Sequence, residues 1–148
     1  MAELALRGYN VSIPEIDIGD DVLVLNHATG QLSRIQVKTA TGRRLQKPDR
    51  AYRCQFSVRL DHVNDAVTAG AHYVFAARCS AAWRFLVFPK SVLRHLIVHS
   101  SLGSPLAKDS HMITVVSYGP REARASTRAD AVDLSPYAGN WDPWPPPS

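Results

Sequence analysis

The 148-residue chain has no long apolar run: none of its apolar stretches approaches the roughly 18 residues of a membrane-spanning helix. Its first ten residues, MAELALRGYN, lack a basic segment followed by an apolar one, so we do not expect a secretory signal. Its two cysteines, Cys54 and Cys79, are too few for a disulfide framework. We therefore expect a cytoplasmic protein with reduced thiols and no membrane partner.

Several catalytic and metal-binding motifs are also missing. The chain has no phosphate-binding loop of the form GxxxxGK[ST], no GxSxG turn and no paired-cysteine zinc motif. These absences argue against a nucleotide-binding loop protein, a serine hydrolase of the GxSxG type and a zinc finger.

The composition is that of a globular domain, with 45% hydrophobic and 20% charged residues. Short alternating segments at Tyr52 to Leu60 and Met112 to Tyr118 predict strands, and Pro89 begins a helix with one apolar face. We expect one α/β (α+β) domain over residues 1–134, built on a mixed sheet with few helices. Residues 135–148 are rich in proline and tryptophan and predict a mostly extended tail.

Charge is unevenly distributed along the chain, although the net charge is only +4. Residues 1–33 contain five acids and one arginine, whereas residues 34–59 contain eight basic residues and one acid. Within the basic segment, residues 41–49 are polar, basic and interrupted by proline, which predicts a loop. Its charges suggest contact with phosphates, since lysine and arginine near a polyanion release counterions. A solvated basic loop is the alternative.

The segment IDIGDDVLVLNHATGQLSRIQVKTA, residues 16–40, predicts two antiparallel strands joined by a four-residue loop, His27 to Gly30. In that register Asn26 pairs with Gln31, and Asp21 lies across from Gln36. Because side chains alternate between faces, Gln36 and Lys38 share one face. We expect Val22, Val24, Ile35 and Val37 together on the other, apolar face.

A carboxylate, a second oxygen donor and a lysine at the ends of adjacent strands suit a hard divalent cation and a phosphate. Mg²⁺ prefers oxygen ligands, and a lysine beside it can hold the attacking water or offset phosphate charge. The pattern predicts metal-assisted phosphodiester hydrolysis, with Mg²⁺ or Mn²⁺ as cofactor.

The acid before a strand, the hairpin and the run Gln36-Val37-Lys38 resemble the PD-(D/E)XK nuclease superfamily, which includes restriction endonucleases. More closely, the stretches IPEIDIGDDVLV, RIQVKT and HYVFAARCSAAWRFLVFP resemble that superfamily's small prokaryotic endonuclease-like domains, and the likeness covers roughly Gly8 to Leu96. It implies a restriction-endonuclease-like αβββαβ core, with a central mixed sheet flanked by helices. It also implies that the chain is an endonuclease acting on DNA.

Carried over residue by residue, the resemblance makes Asp21 a metal ligand, the Val37 carbonyl the adjacent ligand and Lys38 the catalytic lysine. Gln36 stands where the family's second acid usually lies, and Asp20 stands in place of the proline before Asp21. Other acids are therefore open as ligands: Glu3, Glu15, Asp17 and Asp20. The residues expected to contact phosphates are Arg43, Arg44, Lys47 and Arg50.

Alternatives remain at this stage. Lys38 could protect an exposed sheet edge, and the cluster Asp17, Asp20 and Asp21 could form only a turn. The chain could also be a catalytically inactive module that binds nucleic acid or a protein. A homodimer is open as well, because cutting both strands of a duplex often involves two subunits.

Overall fold

The structure is a computed structural model and describes residues 1–15, 21–26, 30–46, 51–66, 70–126 and 131–141. Over these ranges the chain is mostly strand, with a few short helices, and the expected mixed α/β class is confirmed. None of the helices within these ranges is both long and apolar enough to cross a membrane. The elements in chain order are α1 (Ala2–Leu6), β1 (Asn10–Ser12), β2 (Val22–Leu25), β3 (Leu32–Thr41), β4 (Arg43–Arg44), β5 (Tyr52–Arg59), α2 (Leu60–Asn64), β6 (His72–Cys79), β7 (Ala82–Pro89), α3 (Lys90–His99), β8 (Ser104–Ala107), β9 (Ser110–Gly119), β10 (Glu122–Ser126), β11 (Ala131–Asp133) and the 3₁₀ turn η1 (Ser135–Tyr137).

The strands form two sheets. The first sheet has the order β1-β2-β3-β6-β7, with β3 and β6 parallel and the other neighbours antiparallel. The second sheet has the order β11-β10-β9-β5-β4, with β8 also paired to β9, and it is antiparallel throughout. We expected one central sheet flanked by helices. The sequence did not predict the second sheet, because β5 pairs with β9, which is distant from it in the chain, and no local pattern indicates that pairing.

Two hydrophobic clusters lie on opposite faces of the first sheet. One cluster lies between the two sheets, where Phe56 of β5 stacks on Phe75 of β6 with ring centroids 4.6 Å apart. The other cluster joins the opposite face to α1 and to the C-terminal segment; it contains Leu4, Tyr9, Val22, Val24, Ile35, Val74, Val87 and Trp141. The molecule therefore has three layers, with the first sheet in the middle.

Gly42 marks the point at which the chain passes from the first sheet into the second. It lies between β3 and β4, and its backbone N–H donates to the Arg78 carbonyl at 2.9 Å. A Cβ atom at this position would lie 2.9 Å from Cys79 Sγ and 3.2 Å from Cys54 Sγ. Glycine is needed here because the backbone passes directly over these two buried thiols.

Two local predictions differ from the structure. The expected loop at residues 41–49 contains β4, because Arg43 and Arg44 pair with β5. In the segment expected as an extended tail, Ser135–Tyr137 is a 3₁₀ turn and Trp141 is buried, since it fills the space between α1 and the first sheet.

Candidate functional site

The hairpin of β2 and β3 has the register expected from the sequence. Val22 pairs with Ile35 and Leu25 with Leu32, and the Asn26 N–H donates to the Gln31 carbonyl at 2.9 Å. This pairing brings Asp21 next to Gln36. The loop residues 27–29 lie outside the described residues, so only the ends of the expected turn are described.

The two faces of this hairpin differ in polarity, as predicted. Val22, Val24 and Ile35 are buried in the cluster beneath α1, and Val37 packs against that cluster. Side-chain alternation places Gln36 and Lys38 on the opposite face, where both are half-buried. Burial of Ile35 fixes which face of β3 is buried, since a shift of β3 by one residue would bring Arg34, Gln36 and Lys38 into the core.

Asp21 forms hydrogen bonds to the backbone of β3 just beyond the start of β2. Its backbone N–H donates to the Ile35 carbonyl at 2.9 Å, and its Oδ2 accepts the Val37 N–H at 2.6 Å. The Gln36 side-chain amide also donates to Oδ2. β2 begins only at Val22, so the Asp21 carboxylate satisfies a backbone N–H that β2 does not reach.

The oxygen-bearing groups of the predicted site share this edge. Within a strand the N–H and C=O of one residue point toward the same neighbour, so the Val37 carbonyl faces the same side as its N–H. A half-turn of the Gln36 carboxamide would exchange its nitrogen for its oxygen beside Asp21. A carboxylate, a carboxamide and a backbone carbonyl are all ligands that Mg²⁺ accepts, and the set carries one negative charge.

Lys38 extends from the same face as Gln36. It pairs with Phe75 of β6, in the interior of the sheet. Within the described residues its ammonium group has no hydrogen-bond acceptor and no salt-bridge partner. β3 pairs with β6 on one side, but on the other side it extends past Val22, where β2 begins, so among the described residues no strand covers β3 at Lys38 on that side and protection of this local edge is still an alternative explanation for the lysine.

The other predicted acids do not join Asp21 within the described residues. Glu3 forms a 2.8 Å salt bridge with Arg7 on α1, which covers the face opposite to Gln36 and Lys38. Glu15 is exposed beyond β1, whereas Asp17 and Asp20 lie outside the described residues. Over the parts of the chain described, no three His, Cys, Asp or Glu side chains come together as a metal site.

The predicted phosphate-contacting residues lie in the second sheet. Arg43 and Arg44 are both exposed in β4, where alternation directs their side chains to opposite faces. Lys47 and Arg50 lie outside the described residues. Sequence reasoning missed Arg53 and Arg124, two further exposed arginines of this sheet, although alternation in β5 already marked position 53 as outward-facing.

The charge of Arg59, at the other end of β5, is balanced by a carboxylate of the protein itself. Its guanidinium is bonded to both carboxylate oxygens of Asp61. This bond, with the His62 backbone N–H, lowers the pKa of Asp61 to about 2. Arg59 is therefore a poorer candidate for anion binding than Arg43 and Arg53, which have no such partner among the described residues.

Comparisons of the chain with protein-family models, with curated proteins and with solved structures found no match in any of the three.

Proposed function

We propose that this protein hydrolyses phosphodiester bonds in DNA with the help of a divalent cation. The observation that carries the proposal is the meeting of the Asp21 carboxylate, the Gln36 carboxamide and the Val37 backbone at one strand edge, beside Lys38. Further support comes from the order of the first sheet. In chain order α1, the antiparallel strands β1 to β3, α2 and the parallel strand β6 follow the αβββαβ order of a restriction-endonuclease-like core, with β4 and β5 of the second sheet inserted between β3 and α2.

In this proposal Asp21, the Gln36 carboxamide oxygen and the Val37 carbonyl hold Mg²⁺ or Mn²⁺. When bound, the cation would polarise a phosphate oxygen and lower the pKa of a bound water. For the Gln36 oxygen to take part, its amide must rotate and release the hydrogen bond to Asp21. Binding of the cation by the Gln36 oxygen therefore requires loss of the hydrogen bond between Gln36 and Asp21.

Lys38 assists the attacking water. As an ammonium it only donates hydrogen bonds, so it orients the water oxygen and stabilises charge on the phosphate rather than removing a proton. The water oxygen would form a bond to phosphorus and lose its proton to solvent, while the bond to the leaving oxygen breaks and that oxygen takes up a proton from solvent. Lys38 is available for this because no acid among the described residues pairs with it.

Nicking of supercoiled plasmid tests the proposal. We expect the wild-type protein to nick the plasmid in Mg²⁺ or Mn²⁺ and to stop in EDTA. Lys38→Met should lower the rate by about 10² to 10³, the usual cost of removing one donor that stabilises a transition state. Asp21→Asn should abolish metal-dependent cleavage because it removes the site's charge.

Lys108→Met is the matched control. Lys108 is an exposed lysine in the turn between β8 and β9 of the second sheet, so its replacement removes the same charge away from the site. Cleavage by Lys108→Met should stay within about twofold of wild type. Equal cleavage by Lys38→Met and Lys108→Met would overturn the role of Lys38, and wild-type cleavage in EDTA would overturn the role of the cation.

One observation favours a second candidate function, a non-catalytic module that binds nucleic acid. Asp21 is the one acid that the described residues place at this edge, and its Oδ2 already accepts two hydrogen bonds. An Asp21 with a purely structural role would fit that arrangement. DNA binding without nicking by the wild-type protein would establish this candidate in place of the first.

A further inference from the structure

The register of the second sheet aligns three arginines across its outer face. Arg43 of β4 pairs with Arg53 of β5, and Arg53 pairs with Val116 of β9. Val116 in turn pairs with Arg124 of β10. We call Arg43, Arg53 and Arg124 the arginine row.

All three arginines of the row are exposed. Cys54 beside Arg53, and Ala123 and Ala125 beside Arg124, are buried between the two sheets, so these two arginines point away from the core. Arg43 shares their face because it pairs with Arg53. None of the three has a salt-bridge partner among the described residues. At neighbouring strand spacings of about 4.8 Å, the row from β4 to β10 covers about 14 Å.

This arrangement is unfavourable for the sheet itself. Like charges directly opposite each other on neighbouring strands destabilise the pairing, and Arg43 and Arg53 are such a pair. Protection of a sheet edge would account for Arg43 on the edge strand β4, but Arg53 and Arg124 lie on interior strands. An anionic ligand bridging the row would remove this repulsion.

The surroundings of the row favour an extended polyanion. Beside it, Gln55 and Thr114 form a neutral pair, and the side-chain amide of Gln55 donates to the Thr114 hydroxyl. At the end of the row Asp133 pairs with Arg124; hydrogen bonds from Ser135 and the charge of Arg124 lower the pKa of the Asp133 carboxyl, so this acid offsets part of the positive charge at that end. The acid Glu122 lies beyond the bulge at the start of β10.

We propose that the arginine row binds the phosphate backbone of duplex DNA. Along one DNA strand the phosphates rise by about 3.4 Å per nucleotide, so 14 Å corresponds to about four nucleotides. Single-stranded nucleic acid is usually held by aromatic side chains that stack on bases, whereas the outer-face positions beside the row are Gln55, Thr114 and Val116, none of them aromatic. The proposal rests on the proposed function for the identity of the polyanion, but it requires no cation at Asp21.

The test is binding of a labelled duplex of mixed sequence in EDTA, measured by fluorescence anisotropy over a range of NaCl concentrations. Arg53→Gln and Arg124→Gln should each weaken binding about eightfold at 0.1 M salt and reduce the slope of log K against log salt by about 0.9. The double variant should reduce the slope by about 1.8. Circular dichroism should show that each variant is folded.

Arg78→Gln is the matched control, since Arg78 is an exposed arginine of β6 in the first sheet whose strand neighbours Ala77 and Cys79 are buried between the two sheets, so that it points away from the row. It should keep the wild-type salt slope. Wild-type slopes in Arg53→Gln and Arg124→Gln would overturn the proposal, as would a loss in Arg78→Gln equal to theirs. The binding assay contains EDTA, so it does not depend on a cation at Asp21. A failure of the arginine-row proposal is therefore distinguished from a failure of the proposed cleavage, which is measured in Mg²⁺ with the Asp21 and Lys38 variants.

Discussion

The backbone N–H of Val37 donates to Oδ2 of Asp21 at 2.6 Å, at the point where β3 extends past the first residue of β2. One carboxylate thus completes the backbone hydrogen bonding of the sheet and supplies the negative charge of the proposed cation site. These two roles respond differently to substitution, so they can be separated.

Asp21→Ala should lower the free energy of unfolding by about 1 kcal/mol, because the Val37 N–H and the Gln36 amide lose their acceptor. Asp21→Asn should be destabilised less, since its carboxamide oxygen can still accept the Val37 N–H. Urea unfolding gives both values.

Glu15→Ala is the control: it removes an exposed acid before the site and should leave the free energy of unfolding unchanged. Equal losses of stability in Asp21→Asn and Asp21→Ala would contradict the role of the retained acceptor.

Gly42→Ala should destabilise the protein by about 1 to 3 kcal/mol, because the new Cβ meets the Cys79 and Cys54 sulfurs at 2.9 and 3.2 Å. Adding Cys79→Ala should recover part of this loss, since it removes the nearer sulfur. Gly70→Ala is the control: its Cβ would have no neighbour within 4 Å. Thermal unfolding of the variants measures the effect, and additive losses in the double variant would exclude the proposed clash.

Trp141→Ala should cost about 3 to 5 kcal/mol of stability. Trp141 is 6% exposed, its ring meets Phe85 edge to face at 5.6 Å, and the Arg7 guanidinium lies 5.4 Å from its centre. Trp83 is 53% exposed, so Trp83→Ala should change stability by about 0.5 kcal/mol or less. Chemical denaturation compares the two; similar small effects would show that the C-terminal segment contributes little to the fold.

The pair Arg59 and Asp61 predicts a change in stability at acidic pH. The hydrogen bond from Arg59 lowers the pKa of Asp61 from 3.8 to about 2. Because the folded pKa is below the unfolded value, the contribution is fully present above about pH 4 and is lost as pH falls toward 2. Titration of the Asp61 carboxyl by NMR should give the low pKa in the wild type.

Replacing Arg59 tests whether its hydrogen bond lowers the pKa of Asp61. In Arg59→Gln the pKa of Asp61 should return toward its ordinary range, and the associated loss of stability at acidic pH should disappear. An unchanged pKa in this variant would assign the shift to the remaining His62 backbone N–H instead.

Local alternation was enough to predict the hairpin of the candidate site. In β3 the apolar residues Ile35 and Val37 alternate with polar ones, and burial of Ile35 together with the valines of β2 gives the register that brings Asp21 to Gln36. The chemical character of this edge was therefore predictable from residues 16 to 40. The hydrogen bonds that Asp21 accepts from Gln36 and Val37 were not, since they depend on where β2 begins.

The tertiary structure alone decided the second sheet and everything that depends on it. Arg43, Arg53 and Arg124 come from three separated strands, and they align only because β9 pairs with β5 on one side and β10 on the other. The burial of Trp141 and the placement of Glu3 on the far layer are likewise set by how α1 and the C-terminal segment pack on the first sheet. Periodicity within a strand specifies which side chains share a face, whereas the partner of that strand is chosen by burial summed over distant parts of the chain.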